Sequence, residues 1–192
     1  MSGGRYSGGV GNPLNLPFDP IERAHENWAR RWGANPAMAA VTSIMRAQQI
    51  LIDRLDSTLK PYELTFARYE ALVLLTFSST GALPLGKIGE RLMVHPTSVT
   101  NTIDRLERQG LVCRRPNPRD GRGTLAEITD AGREVVEKAT RDLTAMDFGL
   151  GCYTEEELWA VHTVFTRLRV SFGDFPDPDP KSGEGDAPAD RT

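Results

Sequence analysis

Between Pro96 and Arg108, hydroxyls, an amide and guanidiniums recur at spacings that place them on one side of a helix: Thr97, Ser98, Asn101, Arg105 and Arg108. Such a face can donate to and accept from base edges and can pair with phosphates, which is what a helix lying in a DNA major groove requires. Thr97, Ser98, Thr100, Asn101 and Arg105 are the candidates for base edges and nearby phosphates, with Arg105 the side chain suited to guanine. A second set follows in the run from Arg114 to Arg122. Arg114 and Arg115 are placed for contacts to the DNA backbone, which position without specifying. Arg119 or Arg122 can enter a minor groove, where the potential is most negative, with Asp120 pairing an arginine to fix its direction.

These residues need a scaffold, and the surrounding pattern supplies one. Ile88 and Leu92 are four apart and form the inner side of a first short helix. Met93, Val94 and His95 make a turn, and Pro96 sits at a first helical position, where its missing N–H costs nothing. Val99, Ile103 and Leu106 then form the inner side of a second helix. After Gly110, a helix stop, Leu111 to Arg115 reads as a strand, residues 116–123 are dense in turn formers, and Thr124 to Ile128 alternates as a returning strand. A recognition helix followed by a basic hairpin is a winged helix.

With these motifs in place, the chain resembles the MarR (multiple antibiotic resistance regulator) family over about residues 38–172, most strongly over 85–132. The likeness is carried by Gly89-Glu90-Arg91-Leu92, Thr97-Ser98-Val99-Thr100-Asn101, Leu106-Glu107-Arg108-Gln109-Gly110-Leu111-Val112, the Asp120-Gly121-Arg122 tip and Ile128-Thr129-Asp130-Ala131-Gly132. The resemblance implies a dimeric winged-helix transcription regulator, usually a repressor released from DNA by a small ligand or by oxidation. One departure is His95 at the N-cap of the recognition helix, where Ser, Thr, Asp or Asn is usual. Its imidazole could face a phosphate or remain a solvated turn residue.

The implied fold is mainly α with a small β-hairpin: a winged helix-turn-helix at about 62–128 between dimerisation helices at about 18–60 and 129–173. Together these make one domain over 18–173 of the 192 residues. Residues 1–17, rich in Gly and Pro, and 174–192, alternating Pro with acids, are expected to be disordered. Helices are expected over Pro20–Trp32 (capped by Asp19), Pro36–Leu59, Thr65–Phe77 and Thr129–Phe148. A last helix is opened by the capping box at Thr154–Glu157 and runs to Phe172. Gly81-Ala82-Leu83-Pro84 reads as a turn.

The net charge of −3 is at odds with a DNA binder until it is localised. Residues 174–192 hold six acids against two bases, leaving the rest of the chain at +1, while 85–128 hold eight bases and five acids, a net of +3. Local charge forms the footprint on DNA. No apolar run approaches a membrane span of about 18 residues, and the N-terminus lacks the charged and apolar regions of a secretory signal, so a cytoplasmic location is expected.

Two helices carry an association signal. Met38, Val41, Met45, Gln48, Ile52, Leu55 and Leu59 follow a 3-4 spacing, as do Leu158, Val161, Phe165, Leu168 and Phe172. One seam could pack within a protomer and the other between protomers. A homodimer would place two recognition helices about 34 Å apart, matching a palindromic operator.

Asp19 to Trp28, ahead of the common pattern, resembles the extra N-terminal helix of the urate-responsive subgroup of the family. That resemblance implies a small organic anion effector, with Trp28, Asp53 and Arg91 as the matching candidates. An arginine can grip a carboxylate bidentately, held poised by an aspartate until the anion arrives. Packing for Trp28, and a phosphate contact or solvent for Arg91, are the structural alternatives.

Other functions are weighed on the same residues. A thiol-based redox regulator of this fold would use Cys113, beside Arg114. The oxidation-sensing members place their cysteine near the N-terminal helix, whereas none precedes residue 113 here. A winged helix serving only protein contacts would show no salt-dependent DNA affinity. The two cysteines, Cys113 and Cys152, make neither a disulfide framework nor a metal site. His25, His95 and His162 form no HExxH pair, and no phosphate-binding glycine loop or nucleophile elbow is present, so neither an enzyme, a metal nor a cofactor is expected.

Overall fold

Proline opens three of the helices, each behind a non-helical residue whose side chain accepts the first free N–H groups. In the computed structural model, which describes residues 16–118 and 123–177, α1 is Pro20–Trp32 behind Asp19 and α2 is Pro36–Leu59 behind Asn35. Asp19 Oδ1 accepts from Ile21 N at 2.8 Å, and Asn35 Oδ1 from Ala37 N at 3.0 Å. Lys60–Tyr62 is a 3₁₀ turn, and α3 is Phe66–Phe77. Thr65 makes no side-chain cap to α3; Asp56 on α2 takes that role, accepting from Phe66 N at 2.6 Å. The third helix is thus anchored by a residue ten positions upstream, on another element.

Next come α4 (Leu85–Leu92), α5 (Pro96–Arg108), the strands β2 (Val112–Pro116) and β3 (Thr124–Ile128), and α6 (Asp130–Ala145). The hairpin expected from the sequence is present, but it has a third strand. Ala82–Pro84, read above as a turn, is β1 and pairs antiparallel with β3, giving the order β1-β3-β2. Gly81 and Pro84 hide this strand from local reading. Pro84 is tolerated because it ends an edge strand, and the pairing partner Leu125 lies some forty residues downstream.

The core joins α2, α3, α4, α5, α6 and the sheet through Leu55, Leu59, Leu72, Leu75, Ile88, Ile103, Leu106, Val112, Ala126, Val136 and Leu143, all buried. α2 contributes only its C-terminal end. The earlier seam positions Val41, Met45 and Ile52 stay exposed, so that stripe is divided between the core and an open face. Where a continuous helix to Phe148 was expected, α6 stops at Ala145 and a 3₁₀ turn, Asp147–Gly149, follows. Asp147 and Phe148 are both left-handed at φ 51°, which no α-helical ladder can accommodate.

The chain divides after Gly149 into two compact units. The second holds α7 (Glu155–Ser171), opened by a complete capping box in which Thr154 Oγ1 accepts from Glu157 N and Glu157 Oε2 accepts from Thr154 N. No residue of α7 is buried, and Trp159, Val161, Val164, Leu168 and Phe172 are exposed. No helix among the described residues is long and apolar enough to cross a membrane.

Candidate nucleic-acid interface

The helix pair α4–α5 is built as its spacing predicts. α4 buries Ile88 and Gly89, and Met93, left-handed at φ 53°, reverses the chain so that Val94 N can donate to Gly89 O at 3.0 Å. His95 then serves as a true N-cap, since its Nδ1 accepts from Thr97 N at 3.3 Å. The imidazole therefore does the work of the usual Ser or Asp, and this bond requires a lone pair on Nδ1. Neither role considered above for His95 included this one.

α5 separates its two faces sharply. Val99, Ile103 and Leu106 are at most 2% exposed. Thr97, Ser98, Thr100, Asn101, Arg105 and Arg108 all lie on the exposed side. Thr100 spends its hydroxyl hydrogen on Pro96 O at 3.1 Å, leaving its oxygen as an acceptor. Arg108 donates through Nε to Asp104 O at 3.2 Å, which orients it along the helix. Arg105 makes no ion pair among the described residues.

The hairpin arginines are engaged differently from what the sequence suggests. Arg114 is paired with two carboxylates of α5: Nη2 meets Asp104 Oδ1 and Nη1 meets Glu107 Oε2, each at 2.5 Å. Partial burial opposes its charge, but the bonds to Asp104 and Glu107 outweigh that and raise its pKa above the ordinary guanidinium value. Arg115 pairs with Glu127 across the ladder while its side chain stays largely exposed. Its pKa is likewise raised, first by the charge of Glu127 and then by the neighbouring Cys113 thiol. Asn117 N donates to Gly123 O at 2.9 Å, closing the base of the loop. Arg119, Asp120 and Arg122 lie outside the described residues.

The partners of Arg114 were missed in the sequence although a signal existed. Asp104 and Glu107 are three apart, so both carboxylates share one face of α5 and can receive one guanidinium fork.

The anion candidates are scattered. Trp28 is half-buried on α1 and packs on Trp32, with ring centroids 4.7 Å apart and planes tilted by 54°. Asp53 is exposed on α2 and borders two open depressions, one with Ser57, Lys60 and Arg68 and one with Arg46 and Gln49. Arg91 is exposed on α4. Neither Trp28 nor Arg91 lines the depressions that Asp53 borders. A separate cleft of about 500 Å³ lies between α4 and α5, lined mainly by apolar groups including Leu85, Met93, Val94, Pro96 and Val99. Cys113 is half-buried and Cys152 exposed, and both are free thiols.

Comparison with known proteins places this arrangement. The model of the MarR family matches residues 67–124, from α3 to the start of β3. The chain is 68% identical in sequence to Sco5413, a MarR family transcriptional regulator from Streptomyces coelicolor. The superposition has a TM-score of 0.70 and covers 74% of this chain and 99% of that one. Sco3205, a MarR family transcriptional regulator from Streptomyces coelicolor solved in complex with DNA, shares the fold at 22% identity. Its TM-score is 0.67, with 77% of this chain and 97% of that one covered. The uncharacterized HTH-type transcriptional regulator YhbI of Bacillus subtilis (strain 168) is 32% identical over 96 residues. That stretch is 50% of this chain and 61% of the relative, so the match spans less than two thirds of its length.

Proposed function

The chain belongs to the MarR family, and from that premise we propose that it is a sequence-specific DNA-binding transcription regulator, a ligand-responsive repressor that acts as a homodimer on a palindromic operator. The observation that carries this reading is the division of α5. Three apolar side chains are sunk in the core, while hydroxyls, an amide and guanidiniums stand together in solvent at helical spacing. The solved complex of Sco3205 with DNA supports it at the level of the shared fold.

In this reading Thr97, Ser98, Thr100, Asn101 and Arg105 face base edges and adjacent phosphates. Arg115 contacts the backbone beside the wing, and Arg119, Asp120 and Arg122 form the tip that enters the minor groove. The exposed apolar residues Val41, Met45 and Ile52 on α2, and Val161, Leu168 and Phe172 on α7, support association of two protomers. The proposed effector is a small organic anion, supported by the resemblance carried by Asp19–Trp28, which forms the separate helix α1. Its influence on DNA affinity is limited to its differential affinity for the two states of the dimer. Catalysis has no part in this reading.

The test is a titration of the purified protein into a duplex that it selects from a randomised pool, at several salt concentrations. Arg105→Ala should cost about 1–3 kcal/mol and relax the preference at one position of each half-site. Arg122→Ala should weaken binding more evenly across sequences. Unchanged affinity and unchanged salt dependence in both variants would remove the assignment. A thermal-shift screen of small organic acids tests the effector, with Trp28→Ala as the control that should lose the response.

A further inference from the structure

Arg114 was expected to touch the DNA backbone, but its guanidinium is already engaged by two carboxylates of the protein. Two of its nitrogens each hold a separate carboxylate on successive turns of α5, at 2.5 Å to Asp104 and 2.5 Å to Glu107. The backbone N–H of the same residue donates to the second oxygen of Glu107 at 3.1 Å. The Arg114 side chain is only 26% exposed, so the pairs are partly shielded from water. Its main chain lies opposite Ala126, a fully buried residue of β3, within the ladder that leads to the wing tip.

Two consequences follow for any ligand gripped by α5 and the wing together. The first is geometric. A planar guanidinium bound to two carboxylates has little rotational freedom, so β2 is held at one angle to α5. β2 and the recognition helix then meet the duplex as one preformed surface, which lowers the ordering cost of binding. The second is electrostatic. Asp104 and Glu107 sit on the recognition helix, one residue before Arg105 and Arg108 respectively, and left uncompensated they would repel phosphates.

We propose that Arg114 is a positioning residue for DNA binding, which does not contact DNA but fixes the wing to the recognition helix and neutralises the two carboxylates of α5. This rests on the DNA-binding reading above. Lysine is no substitute, because a single ammonium lacks the fork that spans Asp104 and Glu107 while keeping both bonds short.

The full-length protein and its selected duplex provide the test, with Arg114→Ala, Arg114→Lys, and Arg114→Ala combined with Asp104→Asn and Glu107→Gln. Circular dichroism and thermal melting first establish that each variant is folded. Arg114→Ala should bind at least about tenfold more weakly, because truncating one member of a partly buried charge cluster strands the others. Arg114→Lys should lie between it and the wild type. In the triple variant, which leaves no carboxylate unpaired, the slope of log affinity against log salt should stay at the wild-type value, since no phosphate contact is lost. That variant still lacks the link between wing and helix, so it should recover only the electrostatic part of the lost affinity and stay weaker than the wild type.

A slope reduced by about one per protomer, with no recovery in the triple variant, would make Arg114 a direct phosphate contact and overturn the proposal. Wild-type affinity in Arg114→Ala would overturn it equally. If the wild-type protein selects no duplex and shows no salt-dependent affinity, the DNA-binding reading itself fails and the role of Arg114 falls with it. That result is distinct from either variant outcome.

Discussion

Replacing Gly132 by alanine should destabilise the winged domain severely, and the size of the effect can be worked from its surroundings. Gly132 lies in the first turn of α6, where its N–H donates to the Thr129 hydroxyl oxygen at 3.1 Å. A Cβ at this position would stand 2.8 Å from Ile128 Cγ1 and closer still to the carbonyl oxygen of Leu111. The Ile128 methylene could shift; the Leu111 carbonyl cannot. It accepts from Thr129 N at 3.1 Å and belongs to the link between α5 and β2. Relieving the clash therefore means moving α6 away from the sheet or breaking that bond. Overpacking usually costs about 1–3 kcal/mol, and a backbone obstacle puts this case at the upper end. For a chain of this length each kcal/mol lowers Tm by about 2–4 °C, so a fall of about 6–12 °C is expected. Differential scanning calorimetry or thermal circular dichroism reads it directly. Gly86→Ala is the internal control: it is exposed in α4 and an added Cβ meets nothing within 4 Å. That substitution should be neutral or stabilise by up to about 1 kcal/mol. A Tm for Gly132→Ala within 2 °C of the wild type, on the order of the smallest shift expected per kcal/mol, would refute the packing argument.

Other expectations concern the helix caps and the open apolar faces. His95→Ala should lose the cap of α5 at a cost of about 0.5–1 kcal/mol, while His95→Asn should retain it, as urea unfolding of the two variants would report. The carboxyl of Glu157 is held below its ordinary value of 4.5, first by the Thr154 backbone N–H and then by its hydroxyl. Because the folded form favours the carboxylate, the cap is fully present above pH 4.5 and is lost as pH falls through the lowered folded value. Far-ultraviolet circular dichroism should show helix loss in that acid window for the wild type. Glu157→Gln keeps a capping box without a titrating group and should show less of that loss; identical acid profiles would contradict the assignment. Val41→Glu with Met45→Glu places two charges on the exposed stripe of α2 and leaves the core untouched. Analytical ultracentrifugation should find this variant monomeric and the wild type dimeric.

Much of the candidate interface is local and therefore legible in the chain. Pro96 marks the start of α5, the spacing of Val99, Ile103 and Leu106 sets its buried side, and the polar face follows by exclusion. The same holds for the caps of α1, α2, α6 and α7, each decided by residues within four positions of one another. Long-range partners were not legible. Ala82–Pro84 became a strand only because β3 presents a free edge, and Asp56 caps α3 only because α2 packs beside it. The ending of α6 at Ala145, short of Phe148, likewise reflects a chain reversal that no residue type in the stretch announces.

What the sequence determined by itself is the make-up of the proposed reading surface: which residues of α5 are buried, which are offered to solvent, and that a basic hairpin follows. Periodicity and turn chemistry suffice for that, because both act within one helix or one loop. Only the tertiary structure decided which of the basic residues remain available. Arg105 and Arg114 are both arginines of a positively charged stretch, nine residues apart. One is exposed without an ion pair among the described residues, and the other is bound to Asp104 and Glu107. The difference arises because β2 folds back along α5. A charge is committed or free according to what stands within a few ångströms of it, and that distance is set by packing.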